Sequence, residues 1–346
     1  MKTSTLFSIF LSALFCCQIQ LSAQQTTLTT FHRYNWQTIN PAAVDRMQMF
    51  NEHRTLLNAA VRQQWLGFEG SPTLYHLSFE HMPRVNRDFP HQIKWGFSVF
   101  KDQAGEIGTY GITGNFQYYI RLSRGGKKFL HFGLSPSILR YQVAANQIQF
   151  KQDDPLSNVQ INRLYGDFSF GIFYRQVNNR NKTGFYAGIS SPQTISTNLE
   201  KRDDSGFLAK ERKLHLNLIT GGFLKPDRYS PFSIEPSLWI RYLPGVNYSS
   251  LAENLPVSAD VNVRIYYFYD RGSNNSFWAG TGYGTNRNMK IEAGITLDKG
   301  QVFKGAGNTI DSDGAFRFGI GYELPMVSNG LNLGHSLDVN LTYAWD

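Results

Sequence analysis

The chain is 346 residues long, 41% hydrophobic and 14% aromatic, with 31 glycines, two cysteines and a formal net charge of +8 at pH 7. Both cysteines, Cys16 and Cys17, stand near the start, so no disulfide framework can staple the remainder. No later stretch reaches the ~20 consecutive apolar residues of a spanning helix, and the basic residues are scattered rather than clustered, which points to solvated faces and not to a nucleic-acid partner.

Residues 1–23 read as a secretory signal peptide: Lys2, an apolar run over 6–17, then Leu21-Ser22-Ala23 before Gln24. Lipidation at Cys16 or Cys17 is disfavoured by Phe15, which stands where a small residue should precede a modified cysteine. Residues 24–50 are assigned to a short N-terminal periplasmic segment and residues 51–346 to a single β-domain.

From there on, apolar and polar residues alternate with period 2, the signature of half-exposed antiparallel strands. Over 257–269 every odd residue is apolar or aromatic, while Ser258, Asp260, Asn262 and Arg264 lie between them. Ile291, Ala293, Ile295 and Leu297 alternate with Lys290, Glu292, Thr296 and Asp298. The segments centre near 60, 77, 97, 116, 134, 168, 187, 217, 238, 263, 280, 294, 319 and 339, with no convincing helical period between them. Parallel crossovers need a dozen or more residues. Most connections here are turn-like, such as Arg124-Gly125-Gly126-Lys127 and Arg271-Gly272-Ser273-Asn274.

Alternation averages to a polar-looking composition even in a transmembrane β-barrel. The pattern therefore predicts an up-and-down antiparallel barrel of about 14 strands in the lipid bilayer, with a two-sheet soluble sandwich as the alternative. The longer polar connections near 142–160, 191–209 and 244–256 fall at one end of such a barrel and the tight turns at the other. A long stretch at 299–311 breaks that parity. In the last segment, "SLDVNLTYAWD", Leu337, Val339, Leu341, Tyr343 and Trp345 share one face. Tyr343 and Trp345 are predicted to carry the terminal signal that barrel-assembly machinery reads. On this reading Ile265→Arg should be costly, while Asn262→Arg, facing the lumen, should be tolerated.

Motifs for catalysis are scarce. There is no His-Glu-x-x-His, Walker loop or nucleophile elbow. Gly280, Gly282 and Gly284 sit in a strand pattern with no following helix, so they read as small residues facing a crowded lumen. His76, His131 and His215 fall on polar faces. Asp153-Asp154 and Asp203-Asp204 could attract Ca²⁺, but no third ligand is spaced near either pair. No cofactor, metal or catalytic group is assigned.

"RQQWLGFEGSP", residues 62–72, reads as a strand end, a turn at Gly67-Phe68-Glu69-Gly70, and Pro72 before the next strand. The glycines permit positive φ, and Trp65 is placed in an interfacial aromatic belt. Turn chemistry alone gives no reason for Phe68 and Glu69 at the tip. Ile39-Asn40-Pro41-Ala42 followed by this hairpin resembles the opening of the PorP/SprF-like outer-membrane proteins of the type IX secretion system. Trp95-Gly96-Phe97-Ser98-Val99, Lys101-Asp102-Gln103-Ala104-Gly105 and Asp153-Asp154-Pro155 are similar to further family segments. Ser71 departs from the family's usual alanine.

The resemblance implies a non-enzymatic barrel in the bacterial outer membrane, tied to secretion and gliding machinery or holding a secreted surface protein. It implies as partners type IX secretion components, a secreted surface protein or a periplasmic peptidoglycan-associated protein. Asn40, Pro41, Trp65, Gly67, Phe68, Glu69, Gly70 and Pro72 become the candidate docking residues. A general outer-membrane channel and a barrel enzyme acting on lipid or protein stay open as alternatives.

Overall fold

In a computed structural model of the chain, alternation becomes a wall. The structure describes residues 35–346 apart from 51–52, 84–90, 124–126, 145–159, 180, 196, 199–210, 213, 228, 243–256, 270–274, 286–287, 299–313 and 327–333. Residues 1–23, read from sequence as a signal peptide, and the Asp153-Asp154 and Asp203-Asp204 pairs lie outside the described residues.

Two single-turn helices come first, α1 (Trp36–Ile39) and α2 (Arg46–Met49). The strands are β1 (Thr55–Gln63), β2 (Thr73–His81), β3 (His91–Ala104), β4 (Ile107–Arg121), β5 (Lys128–Ala144), β6 (Gln160–Asn178), β7 (Thr183–Gln193), β8 (Thr197–Asn198), β9 (Glu211–Arg212), β10 (His215–Phe223), β11 (Phe232–Tyr242), β12 (Val257–Phe268), β13 (Ser276–Gly284), β14 (Asn288–Asp298), β15 (Gly314–Pro325) and β16 (Ser336–Trp345). All but β8 and β9 pair antiparallel with their neighbours in sequence order, and β1 closes on β16 from Thr55↔Trp345 to Gln63↔Leu337, giving a closed barrel. The pair β8–β9 is a small separate sheet inside the connection from β7 to β10.

Each of the fourteen predicted segments falls on one barrel strand. Lengths differ from the ~9–11 residues a tilted spanning strand needs: β5 has 17 and β6 has 19. Both run toward the end of the barrel that holds the connections 145–159, 194–214 and 243–256. We call this end the loop rim. The other, terminal rim holds both ends of the barrel domain, where Arg54 Nη2 meets Asp346 Oδ2 at 3.1 Å.

The two faces of the wall sort as alternation requires. Ile265, Val263, Phe318, Ile320 and Leu341 are exposed and outward, and Arg264, Arg317, Asp338, Asn340 and Thr342 are buried inward. Outward aromatics gather toward the rims. Tyr267, Phe277, Tyr343 and Trp345 lie near the terminal end, with Tyr343 stacked on Trp345 at 5.1 Å between centroids. Tyr75, Tyr110 and Tyr283 lie toward the loop end. Gly280, Gly282 and Gly284 do face a crowded lumen: a Cβ at each would overlap Glu292, Asn262 and Asp260 in turn.

The lumen is more tightly packed than a polar bore, and this corrects the expectation for Asn262. That residue points inward but is only 4% exposed, so a bulky arginine there would be overpacked rather than tolerated.

Candidate functional site

Residues 35–50, assigned from sequence to a periplasmic segment, pack inside the barrel. The segment has little regular structure of its own, so its polar backbone must find partners on the wall. Ile39 O accepts from Ser190 Oγ (2.6 Å) and Asn217 Nδ2 (3.2 Å). Pro41 O accepts from Asn115 Nδ2 and Gln117 Nε2, both at 3.2 Å. Gln117 Nε2 and Lys94 Nζ reach Ala43 O at 3.2 and 3.4 Å. Arg175 Nη1 donates to Met49 O at 2.5 Å.

The Asn40-Pro41 pair is the centre of this seat. Asn40 is fully buried, its Nδ2 donating to Ile172 O and Ile189 O at 3.2 and 3.3 Å. Its Oδ1 accepts from Ala42 N at 2.9 Å, which sets the turn after Pro41. The wall makes room with three inward glycines on adjacent strands. A Cβ on Gly133 of β5 would overlap the backbone of Pro41 and Ala42, and one on Gly171 of β6 or Gly188 of β7 would crowd the Asn40 amide. The plug thus lies in a glycine groove across β5, β6 and β7.

On the far side of the lumen the plug is held by charge. Asp45 caps α2 by accepting from Met47 N at 2.8 Å, and its carboxylate takes a two-pronged pair from Arg317 at 3.1 and 2.9 Å. Arg46 turns the other way, its guanidinium 4.8–5.8 Å from the ring centroids of Phe50, Phe223, Tyr266 and Phe268. Cation–aromatic contacts of this kind strengthen when desolvated.

Nearer the loop rim, among the described residues, side chains of the wall occupy the bore. Asp338, Arg62, Glu323, Lys290, Asp260 and Arg241 form a chain of alternating sign, joined at 2.6, 2.6, 3.7, 2.9 and 2.5 Å. Below it, Arg264 makes a two-pronged pair with Glu292 at 3.0 and 2.7 Å, and Tyr266 donates to Glu235 at 2.7 Å. These groups are almost fully buried. Charges buried this deeply persist only when paired. The small Gly280, Gly282 and Gly284 positions leave the volume that Glu292, Asn262 and Asp260 occupy.

The hairpin stands apart, at the loop rim. Gln64 N donates to Pro72 O at 2.8 Å to close it, and Phe68 N and Ser71 N donate to Trp65 O and Phe68 O within it. Gly67 and Gly70 have φ of +91° and +71°, the left-handed region that glycine permits. Trp65 has φ +52° as well, a conformation uncommon outside glycine. The tip is braced from both sides: Leu66 N donates to His335 O at 2.9 Å, and Gly105 N, in the turn after β3, donates to Gly70 O at 2.8 Å. Gly334 lies so close to Trp65 and Phe68 that a Cβ there would crowd both. Phe68 is nonetheless 57% exposed and Trp65 40%.

The predicted site residues therefore form two groups, Asn40 and Pro41 in the lumen and 65–72 at the loop rim, while Tyr343 and Trp345 sit at the terminal rim. Trp345 pairs with Thr55 and Gly314 and its ring lies 6.2 Å from Phe79, so it belongs to the seam where the barrel closes. Trp345→Ala should lower the amount of heat-modifiable, folded protein in the outer-membrane fraction. Wild-type levels would remove the assembly role. Of the inward histidines, His131 stacks on Tyr119 and is bonded to Gln117 and to Arg175 Nε.

The sequence pattern of a family described as "Type IX secretion system membrane protein PorP/SprF" matches residues 21–343. Among curated proteins none matches the sequence significantly. In fold, the chain is similar to the toluene transporter TodX of P. putida, at 8% identity over 90% of this chain and 94% of that one, TM-score 0.52. It is also similar to a Pseudomonas aeruginosa FadL homologue, at 10% identity over 91% and 93%, TM-score 0.50. At such identities the likeness is one of architecture alone.

Proposed function

Because the chain belongs to the type IX secretion system membrane protein family PorP/SprF, we propose that it works in the outer membrane as a non-enzymatic barrel acting by protein–protein contact, engaging a secreted surface protein at its loop rim. The observation that carries this reading is the occupied lumen. Residues 35–50 fill the half nearer the terminal rim, and the buried chain of charges crosses the half nearer the loops. What remains for function is the rim.

There the hairpin supplies a rigid aromatic projection. Exposed aromatics on a pre-organised backbone are the residues that dominate binding energy at interfaces. In outer-membrane barrels the long loops face outward and the short turns face the periplasm. On that orientation the hairpin meets cargo at the cell surface, and periplasmic components, a peptidoglycan-associated protein among them, meet the terminal rim.

The test is a secretion and surface-display assay in a Phe68→Ala strain whose folded barrel is shown to be at wild-type level. We expect cargo display to fall by about tenfold or more, as for loss of a hot-spot aromatic. Unchanged display would return the hairpin to a purely structural role. Purified wild-type protein should give no steady conductance in a planar bilayer. Open-pore currents would favour the channel alternative.

A further inference from the structure

The outer face of β2 to β6 changes character over successive rows of paired residues. Leu77, Val99, Ile112 and Ile138 stand side by side in strand register, and all four are apolar and exposed. The next outward row toward the loop rim is Tyr75, Lys101, Tyr110, Arg140 and Leu164. Beyond it come Thr73, Gln103, Gly108, Gln142 and Asn162, with no large apolar side chain. The middle row therefore marks the edge of the apolar band, the level at which lipid head groups begin and interfacial tyrosines gather.

Two cations stand in that row on either side of Tyr110. Lys101 Nζ lies 5.6 Å from the centroid of the Tyr110 ring. Arg140 is exposed and donates through Nε to Asn162 Oδ1 at 2.9 Å, which orients the guanidinium and leaves its two terminal nitrogens for another acceptor. Among the described residues no carboxylate pairs with Lys101 or Arg140. Asp102, the acidic residue of β3, has the opposite, inward parity, and Glu106 lies in the turn beyond the polar row. Lys101 and Arg140 are two strands apart, ~10 Å at the usual strand spacing, and both side chains are long enough to close on one group over Tyr110. Across the barrel the corresponding loop-side row, Val261, Tyr283, Met289 and Leu324, carries no cation. The positive charge is thus confined to one sector of the interface.

We propose that Lys101, Tyr110 and Arg140 form a binding site for the phosphate of a lipid head group in the leaflet that meets the loop rim, with the acyl chains lying along Val99, Ile112 and Ile138. The guanidinium fork and the ammonium both suit phosphate oxygens, and long basic side chains at the edge of a bilayer reach up to the head groups. The apolar row directly below the cations favours a lipid over a soluble anion, because it offers the tail a continuous surface where the phosphate is held. The inference needs only the closed barrel and its bilayer, and holds whether or not the hairpin engages cargo.

The experiment places the purified full chain in phosphatidylcholine vesicles with a trace of phosphatidic acid labelled by dansyl on its tail. Binding is read by energy transfer from the lipid-facing tryptophans, among them the exposed Trp95 of β3. Tail-labelled phosphatidylcholine at the same dose is the reference. Wild type should prefer phosphatidic acid by about tenfold. The Lys101→Gln/Arg140→Gln double variant, shown to be folded by heat-modifiable migration, should lose most of that preference, to within about twofold of none. Lys127→Gln/Lys128→Gln removes the same charge at the opposite rim and should stay within about twofold of wild type. Equal losses in both double variants would reduce the effect to diffuse charge and overturn the site. So would absence of any preference in wild type, or displacement of the labelled lipid by inorganic phosphate at matched concentration, which would assign the row to a soluble anion.

Discussion

Gly133→Val should expel residues 39–43 from the lumen while the wall of the barrel stays closed. Gly133 lies on β5 between Gln117 of β4 and Gly171 of β6, so its backbone is fixed from both sides by strand pairing. Any side chain there would overlap the Pro41 carbonyl carbon and the Ala42 nitrogen. The plug is the softer partner, because its place depends on side-chain bonds and not on a strand ladder. Overpacking of this kind costs ~1–3 kcal/mol, and each lost hydrogen bond of the seat adds ~0.5–1.5 kcal/mol.

The expected result is a heat-modifiable barrel whose N-terminal region is cut by protease under conditions where the wild type is protected. Equal protection in the two would show that the groove is not the seat. Asp45→Ala alone should destabilise by ~3–5 kcal/mol, since it removes the carboxylate paired with the buried Arg317 guanidinium. Once Gly133→Val has unseated the plug, adding Asp45→Ala should cost much less, because both changes then act on one displaced element. A fully additive pair would separate the two contacts.

The second large effect belongs to the outer face. Ile265 is 48% exposed and pairs with Ala279 and Ile234, between a terminal-side row at Tyr267 and Phe277 and a loop-side row at Val261 and Tyr283. That places it near the middle of the apolar band. Ile265→Arg should cost ~2–4 kcal/mol, the penalty for a cation at the midplane of a barrel's lipid face. Ile265→Leu should be silent. Equilibrium unfolding of the two variants in lipid vesicles gives the comparison. Equal stability would mean that this face does not meet hydrocarbon.

The wall was legible in the sequence because its signal is local. Period 2 over 257–269 and 336–345 needs no knowledge of distant residues, and it sorted Arg264 from Ile265 and Asp338 from Val339 correctly. The small residues of β13 could be read as lumen-facing for the same reason. The plug was not legible. Asn40 and Pro41 stood out only through a family resemblance, and their partners lie 74 to 149 residues later, at Asn115, Gln117, Ile172 and Ile189.

One signal was present and unread. Gly133, Gly171 and Gly188 fall at inward positions of three consecutive strands, where a strand otherwise gains from a side chain. A glycine row across neighbouring strands marks the close approach of another backbone. The crowding around Asn262 and the left-handed turn at Trp65 likewise depend on contacts that alternation does not encode.

The long sequence separation of the plug's bonds has a consequence for how the chain reaches its native state. Asp45 and Arg317 are 272 residues apart, and Asn58 meets Asn340 across 282. The earliest part of the domain therefore waits for the latest. Until β15 exists, Asp45 lacks its Arg317 countercharge, and until β7 and β10 stand side by side, the Ile39 carbonyl lacks one of its two donors. Contacts at such range are slow to form because loop-closure entropy is spent before any bond repays it. Completing the plug's seat and sealing β1 against β16 are thus coupled late events: the barrel closes around its own beginning, and a chain halted before β15 would hold an unfinished wall and a plug that lacks its Arg317 anchor at the same time.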